Sequence, residues 1–88
     1  MKFEWDPEKE KENIKKHKLT FKTASLVFND ENRLEFFDKF HSVYEDRYIT
    51  LGLVGDVIMV VYTVRSDRYR IISARLATHE ERRKYEDG

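Results

Sequence analysis

Between Val57 and Val64 the chain reads VIMVVYTV, eight residues without a charge and mostly β-branched. Stiff β-branched side chains suit a pleated strand, and an apolar run without alternation marks a strand buried on both faces. Around it, Leu34 to Phe37 is a short apolar segment, Tyr48 to Leu51 alternates, and Tyr69 to Leu76 alternates again. Gly52 to Asp56 and Ser66-Asp67 read as hairpin turns, so these four strands are expected to pair antiparallel as a meander.

The segment before the meander reads as one strand and two helices. Phe3-Glu4-Trp5 is short, aromatic and alternating, hence a strand. Asp6-Pro7 then starts a helix, with Asp6 as N-cap and Pro7 at the first position, where a missing N–H costs nothing. This helix runs to about His17, with acids in its first turn and bases in its last. Ile14 is nearly its only apolar residue, so it should lie on the surface, tethered by Ile14 and lysine stems, with His17 on its inward edge. Thr20 caps a second helix, in which Phe21, Ala24 and Phe28 keep the spacing of a buried stripe, Val27 beside them. Asn29 to Asn32 ends it as a polar turn, and Asp38 to Tyr44 reads as a loop. The order gives an α+β fold: two N-terminal helices and a short C-terminal helix around a four- to five-stranded, mainly antiparallel sheet.

The 88 residues suffice for one domain, taken as 1–88. No apolar segment approaches the roughly 20 residues of a membrane helix, and the N-terminus lacks the apolar middle of a secretory signal, so a cytoplasmic protein without membrane contact is expected. The absence of cysteine removes disulfides, thiol nucleophiles and cysteine-based zinc sites. His17, His41 and His79 show no metal-ligand spacing, and no cofactor is expected. The net charge of zero argues against a nucleic-acid partner until its distribution is considered. From Asn29 to Asp46 six acidic residues face Arg33 and Lys39, whereas from Arg65 to Lys84 seven basic residues face Asp67, Glu80 and Glu81. A local basic patch acts on a phosphate at close range whatever the total.

That patch is where chemistry is expected. Alternation puts Tyr69, Ile71, Ser73 and Arg75 on one face of the last strand, and Arg70, Ile72, Ala74 and Leu76 on the other, with Ile72, Ala74 and Leu76 directed inward to helices. Thr78-His79-Glu80-Glu81 then forms a capping box, opening a helix to about Asp87 in which Arg82 and Tyr85 share a face. A cleft bounded by Arg75, Arg82 and Tyr85 would suit a phosphodiester, because the planar arginine fork matches phosphate oxygens and remains charged through a pentacoordinate transition state. From spacing alone, salt-bridged surface arginines and a purely structural Glu81 cap explain the same residues about as well.

The chain resembles the BrnT toxins, members of the RelE/ParE-like ribonucleases of type II toxin–antitoxin modules. The resemblance rests on the opening FEWDP, on Lys16-His17 followed by Leu19-Thr20-Phe21, on the pattern HS…E-x-R-[FY]-I-T-[IL]-G from His41 through Gly52, and on R-x-I-S-A-R-x-A-T-x-x-E-R-x-x-Y from Arg70 through Tyr85. Lys18 departs from it, standing where the family has a helix-ending glycine, and so does the pair Val43-Tyr44 in a stretch usually more polar. The resemblance implies a RelE-like fold, cofactor-free RNA cleavage that blocks translation, and neutralisation by a BrnA-type antitoxin, through which the complex reaches operator DNA. It also implies a set of catalytic candidates: Arg65, Arg75, Glu81, Arg82 and Tyr85. Arg75 and Arg82 would hold the scissile phosphate, and Tyr85 or Glu81 would move the proton. Trp5, His17 and Ser73 are candidates for RNA binding, Trp5 by stacking a base, although a core tryptophan is the commoner reading of that position. The competing function is a non-enzymatic domain, a degenerate toxin that serves as antitoxin partner and corepressor. Under either, the aromatic loop from Phe36 to Tyr44 and the polar first helix are the expected contact for a partner segment that orders on binding.

Overall fold

The computed structural model describes residues 2–88. Its strands are β1 (Lys2–Trp5), β2 (Leu34–Phe37), β3 (Tyr48–Val54), β4 (Asp56–Arg65) and β5 (Arg68–Leu76), and its helices α1 (Pro7–His17), α2 (Phe21–Ser25) and α3 (His79–Asp87). One sheet contains all five strands in the order β1-β5-β4-β3-β2, so the VIMVVYTV run occupies the centre. β2 to β5 form the antiparallel meander, whereas β1 pairs parallel to β5, with Trp5 opposite Ile71, and makes the sheet mixed. No helix among the described residues is long and apolar enough to cross a membrane.

Both faces of β4 are covered. On one, Ile58 and Val60 pack with Ile71 and Ala74 of β5 against Phe21, Ala24 and Val27. On the other, Val57 and Met59 pack with Leu51 and Ala77, with Tyr85 of α3 against them. Val27 takes the fully buried place expected for Phe28, because α2 tightens into a 3₁₀ turn (Leu26–Asn29) whose three-residue period continues the line from Phe21 and Ala24. Phe28 instead lies over Phe3, Tyr62 and Tyr69.

Strand β5 departs from simple alternation. Val61 faces Ser73 but Tyr62 faces Ile71, so Ile72 is an extra residue, a β-bulge that shifts the side-chain phase. Tyr69 and Ile71 therefore share the α1/α2 face with Ala74, while Arg75, opposite Met59, lies on the α3 face. Leu76, expected inward, is half exposed.

Two further expectations are corrected, and the end of α1 falls where expected. Helix α1 is held by Asn13 and not by Ile14: beyond the end of β1, the Ala74 N–H donates to Asn13 Oδ1 at 3.0 Å, and Asn13 Nδ2 donates to the Leu19 carbonyl at 3.0 Å. Asn13 is buried, Ile14 and His17 are exposed. Gly52 belongs to β3 and not to a turn. A Cβ there would come within 2.7 Å of Val27 Cβ, so glycine lets the 3₁₀ turn lie on the strand, and the hairpin reverses at Gly55 with φ +74°. Lys18 ends α1 in the left-handed conformation, φ 61°, donating its N–H to the Ile14 carbonyl, so the helix stops as a glycine would stop it despite the Cβ cost.

Candidate active site

The corner between β5 and α3 is built by one carboxylate. Thr78 caps α3, its Oγ1 accepting from the Glu81 N–H at 3.2 Å, and Glu81 Oε1 accepts in return from the Thr78 N–H at 2.9 Å. Both halves of the expected capping box are present. Glu81 Oε1 also accepts from Arg75 Nη1 at 2.8 Å, and its Oε2 from Arg75 Nη2 at 3.1 Å, a two-pronged ion pair that joins strand to helix. Arg75 Nη1 donates as well to the Leu76 carbonyl at 3.1 Å. The Arg75 fork holds the Glu81 carboxyl below its ordinary range against the opposing effect of burial, with the Thr78 N–H adding to the same direction.

Arg82 follows Glu81 in the first turn of α3, half-buried, and its side chain forms no ion pair or hydrogen bond among the described residues. Tyr85, one turn on, is turned to a different partner. Its ring packs on the Leu51, Val57, Met59 and Ala77 cluster, and its hydroxyl donates to Asp30 Oδ2 in the polar turn before β2. That hydrogen bond, with burial and the Asp30 charge behind it, pushes the Tyr85 hydroxyl up to about 12. Asp30 also receives the Leu53 N–H at 2.8 Å and the Asn32 N–H at 2.9 Å, and these bonds, with that of Tyr85, outweigh burial and hold its carboxyl low. The expected cleft of Arg75, Arg82 and Tyr85 thus resolves into Arg75 paired with Glu81, Arg82 next to Glu81 along the helix, and Tyr85 anchoring the helix.

The remaining candidates lie apart from this corner. Arg65 is the last residue of β4, six positions along from Met59, the partner of Arg75, which is roughly 20 Å of strand. It pairs with Glu45 at 3.2 Å. Trp5 sets its ring edge-on to Phe21, centroids 6.1 Å apart, among the half-buried residues packed on the α1/α2 core. His17 and Ser73 do meet, across a cleft of about 220 Å³ lined also by Lys9, Glu12, Lys16 and Ile72.

Two residues that sequence reading passed over, Asn13 and Asp30, fix how the corner is held. Asn13 gave no periodic signal because its polar side chain is buried to satisfy backbone groups, and Asp30 stood in a turn where an acid needs no special explanation.

The loop from Asp38 to Tyr44 is pinned by its own polar groups. The Asp38 carboxylate accepts from the His41 ring at 2.9 Å, and Ser42 Oγ donates to the Asp38 carbonyl at 2.6 Å. Its apolar side chains turn outward: Phe40, Val43 and Tyr44 are 87%, 73% and 100% exposed.

Residues 5–81 match the family model described as the ribonuclease toxin BrnT of type II toxin–antitoxin systems. Among solved structures, the crystal structure of the Brucella abortus ribonuclease toxin BrnT is similar at 28% identity and a TM-score of 0.70, over 90% of this chain and 99% of that one. No curated protein matched the chain. The family match spans nearly the whole chain, including the segment that precedes β3 and the β5–α3 junction as far as Glu81, with Arg82 and Tyr85 beyond its end, and on that ground the chain belongs to the BrnT family of ribonuclease toxins of type II toxin–antitoxin systems.

Proposed function

We propose that the chain is a metal-independent endoribonuclease that blocks translation by cutting RNA, working in the cytoplasm as a single RelE-like domain over residues 1–88. The observation that carries this reading is the Arg75–Glu81 fork at the β5–α3 corner, with Arg82 the next residue of the helix and without a side-chain partner among the described residues. RNA brings its own nucleophile, so what the protein must supply is positioning, charge stabilisation and proton transfer. The 2′-oxygen forms a bond to phosphorus as the bond from phosphorus to the 5′-oxygen breaks. Arg75 and Arg82 take up the negative charge that gathers on the phosphoryl oxygens. In this reading the 2′-hydroxyl proton passes to Glu81 Oε2, which receives only Arg75 Nη2; Arg75 holds that carboxyl below its ordinary range, so it is a weak base and the main contribution to rate is charge stabilisation. The leaving 5′-oxygen takes its proton from water. His17 and Ser73, with Lys9 and Lys16, guide the flanking RNA backbone.

Membership of a toxin–antitoxin family implies an antitoxin partner. In this reading it is BrnA-like, links the complex to operator DNA, and docks on the exposed aromatics of the 36–44 segment and on α1. Phe36, Phe37, Phe40, Val43 and Tyr44 are all exposed, which supplies apolar side chains for such a contact.

The test is cleavage of RNA by the purified chain in excess chelator. Cutting should persist, and Arg75→Ala should lower its rate by about 100-fold or more. Cutting that stops with the chelator overturns the metal-free mechanism, and an Arg75→Ala protein as active as the original overturns the site.

A further inference from the structure

Strand β2 lies at one edge of the sheet, and no strand among the described residues pairs with its outer side. One position beyond it, the Asp38 N–H donates to the Arg47 carbonyl at 2.8 Å. In an antiparallel pair successive residues turn their backbone groups to opposite sides, so Leu34 and Phe36 face β3 as Asp38 does, and Glu35 and Phe37 turn theirs outward. The Lys39 N–H takes the Phe37 carbonyl at 3.2 Å, which leaves the Glu35 N–H and carbonyl and the Phe37 N–H open. An edge of this kind is a template for a further strand.

The side chains beside that edge supply a seat. Phe36, Ile49 and Leu51 line a cavity of about 190 Å³ bounded by Glu81 and Lys84 of α3. A cavity of about 150 Å³ accepts benzene, so this one has room for one apolar side chain. A second hollow, between Leu34, Glu35, Phe36, Lys84 and Asp87, shares Phe36 and Lys84 with it and lies along β2. A strand added to β2 sends every second side chain to this face, next to Leu34 and Phe36.

Charge selects the occupant. Six acidic residues face Arg33 and Lys39 between Asn29 and Asp46, with Glu35 in the edge strand and Asp38 just past it. Such an edge repels RNA and a second copy of itself, and it suits a peptide rich in lysine or arginine.

We propose that an extended, basic segment of the antitoxin adds to β2 as a sixth strand and seats one apolar side chain in the cavity walled by Phe36, Ile49, Leu51 and Glu81. The inference rests on the antitoxin partner that family membership implies, and it gives the masking of the site a physical form. A side chain seated there lies against the carboxylate that Arg75 holds, so antitoxin and RNA meet at one corner.

The probe is the antitoxin encoded beside this chain, and the measurement is amide hydrogen exchange read by NMR. The Glu35 and Phe37 amides should exchange fast in the free chain and at least about 100-fold more slowly in the complex, as amides of a closed ladder do. Phe37→Pro, which removes an outward N–H and none of the bonds to β3, should bind about tenfold more weakly than Phe37→Ala, the effect of one hydrogen bond. Phe36→Ala, which takes away a wall of the cavity, should bind about tenfold more weakly than the original chain. Phe37→Pro binding as well as Phe37→Ala overturns the added strand, and Phe36→Ala binding as well as the original overturns the seat. If Phe37→Pro does not fold, the exchange measurement decides alone, since it needs no variant. Slow exchange at both positions in the free chain, growing slower with its concentration, puts a second copy on the edge and overturns the proposal. A complex in which both amides exchange as in the free chain removes this inference alone, whereas a chain that forms no complex removes the antitoxin reading and this inference with it.

Discussion

The Tyr85 hydroxyl donates to Asp30 Oδ2, an oxygen that also receives the Leu53 N–H, so one carboxylate ties α3, β3 and the turn before β2 together. A phenol so committed and pushed up to about 12 is poorly suited to give or take a proton at neutral pH. Tyr85→Phe keeps the ring on its cluster and removes the bond to a charged acceptor, at a cost of about 1.5–3 kcal/mol. RNA cleavage below the melting temperature should stay within about tenfold of the original, where loss of a general acid or base would cost 100-fold or more. Melting curves and initial rates on one preparation distinguish the two.

Gly52→Ala tests the contact between β3 and the 3₁₀ turn. The added Cβ meets Val27 Cβ at 2.7 Å and the Val27 carbonyl at 3.1 Å, and a backbone atom cannot swing aside. Overpacking of about 1–3 kcal/mol is expected in chemical denaturation. Adding Val27→Ala should not relieve it, since both contacting atoms survive that change.

Asn13→Ala should be among the more damaging single changes in α1, despite removing a polar side chain from a polar helix. It leaves the Ala74 N–H and the Leu19 carbonyl without the partners they now have, at about 1–3 kcal/mol for each group that stays dry. Ile14→Ala, at an exposed position, should cost well under half as much in the same denaturation experiment.

Stability should fall at both ends of the pH scale for separate reasons. Glu81 and Asp30 have folded pKa values below their ordinary 4.5 and 3.8, so the unfolded chain binds protons first as pH drops. Their contribution is whole above those ordinary values and disappears as pH falls through the lower, folded ones. Tyr85 runs the other way: its contribution is whole below 10.0 and disappears as pH rises toward about 12. Glu81→Gln, which keeps the cap and loses the ion pair, should cost up to about 1 kcal/mol at pH 7. The gap between it and the original chain should close below pH 4.5, while the gap for Tyr85→Phe should close above pH 10.

Much of this fold could be read ahead because its signals are local. The β-branched run of β4, the Asp6-Pro7 start of α1 and the Thr78/Glu81 box each depend on neighbouring residues, and each stands where it was expected. What escaped depends on distant ones. Nothing near Asn13 indicates that Ala74, sixty-one residues away, will need an acceptor, and nothing near Gly52 foretells Val27 lying on it. At the corner, Arg75 with Glu81 was legible as a cluster of charge, but the turning of Tyr85 to Asp30 was not, because helical spacing gives a shared face and not the choice of partner.

The bulge at Ile72 makes the faces of β5 depend on how the strand pairs as much as on which residues it carries. Were Ile72 instead paired in plain alternation, Arg75 would fall in step with Ile71 and present its charge to the α1/α2 core, while Ala74 would take the place on the α3 side. Every side chain could be kept and the Arg75–Glu81 fork would still be lost. The strand could lose Ile72 itself and keep both faces in step, whereas keeping Ile72 and losing the bulge would turn every side chain from Ser73 onward to the other face.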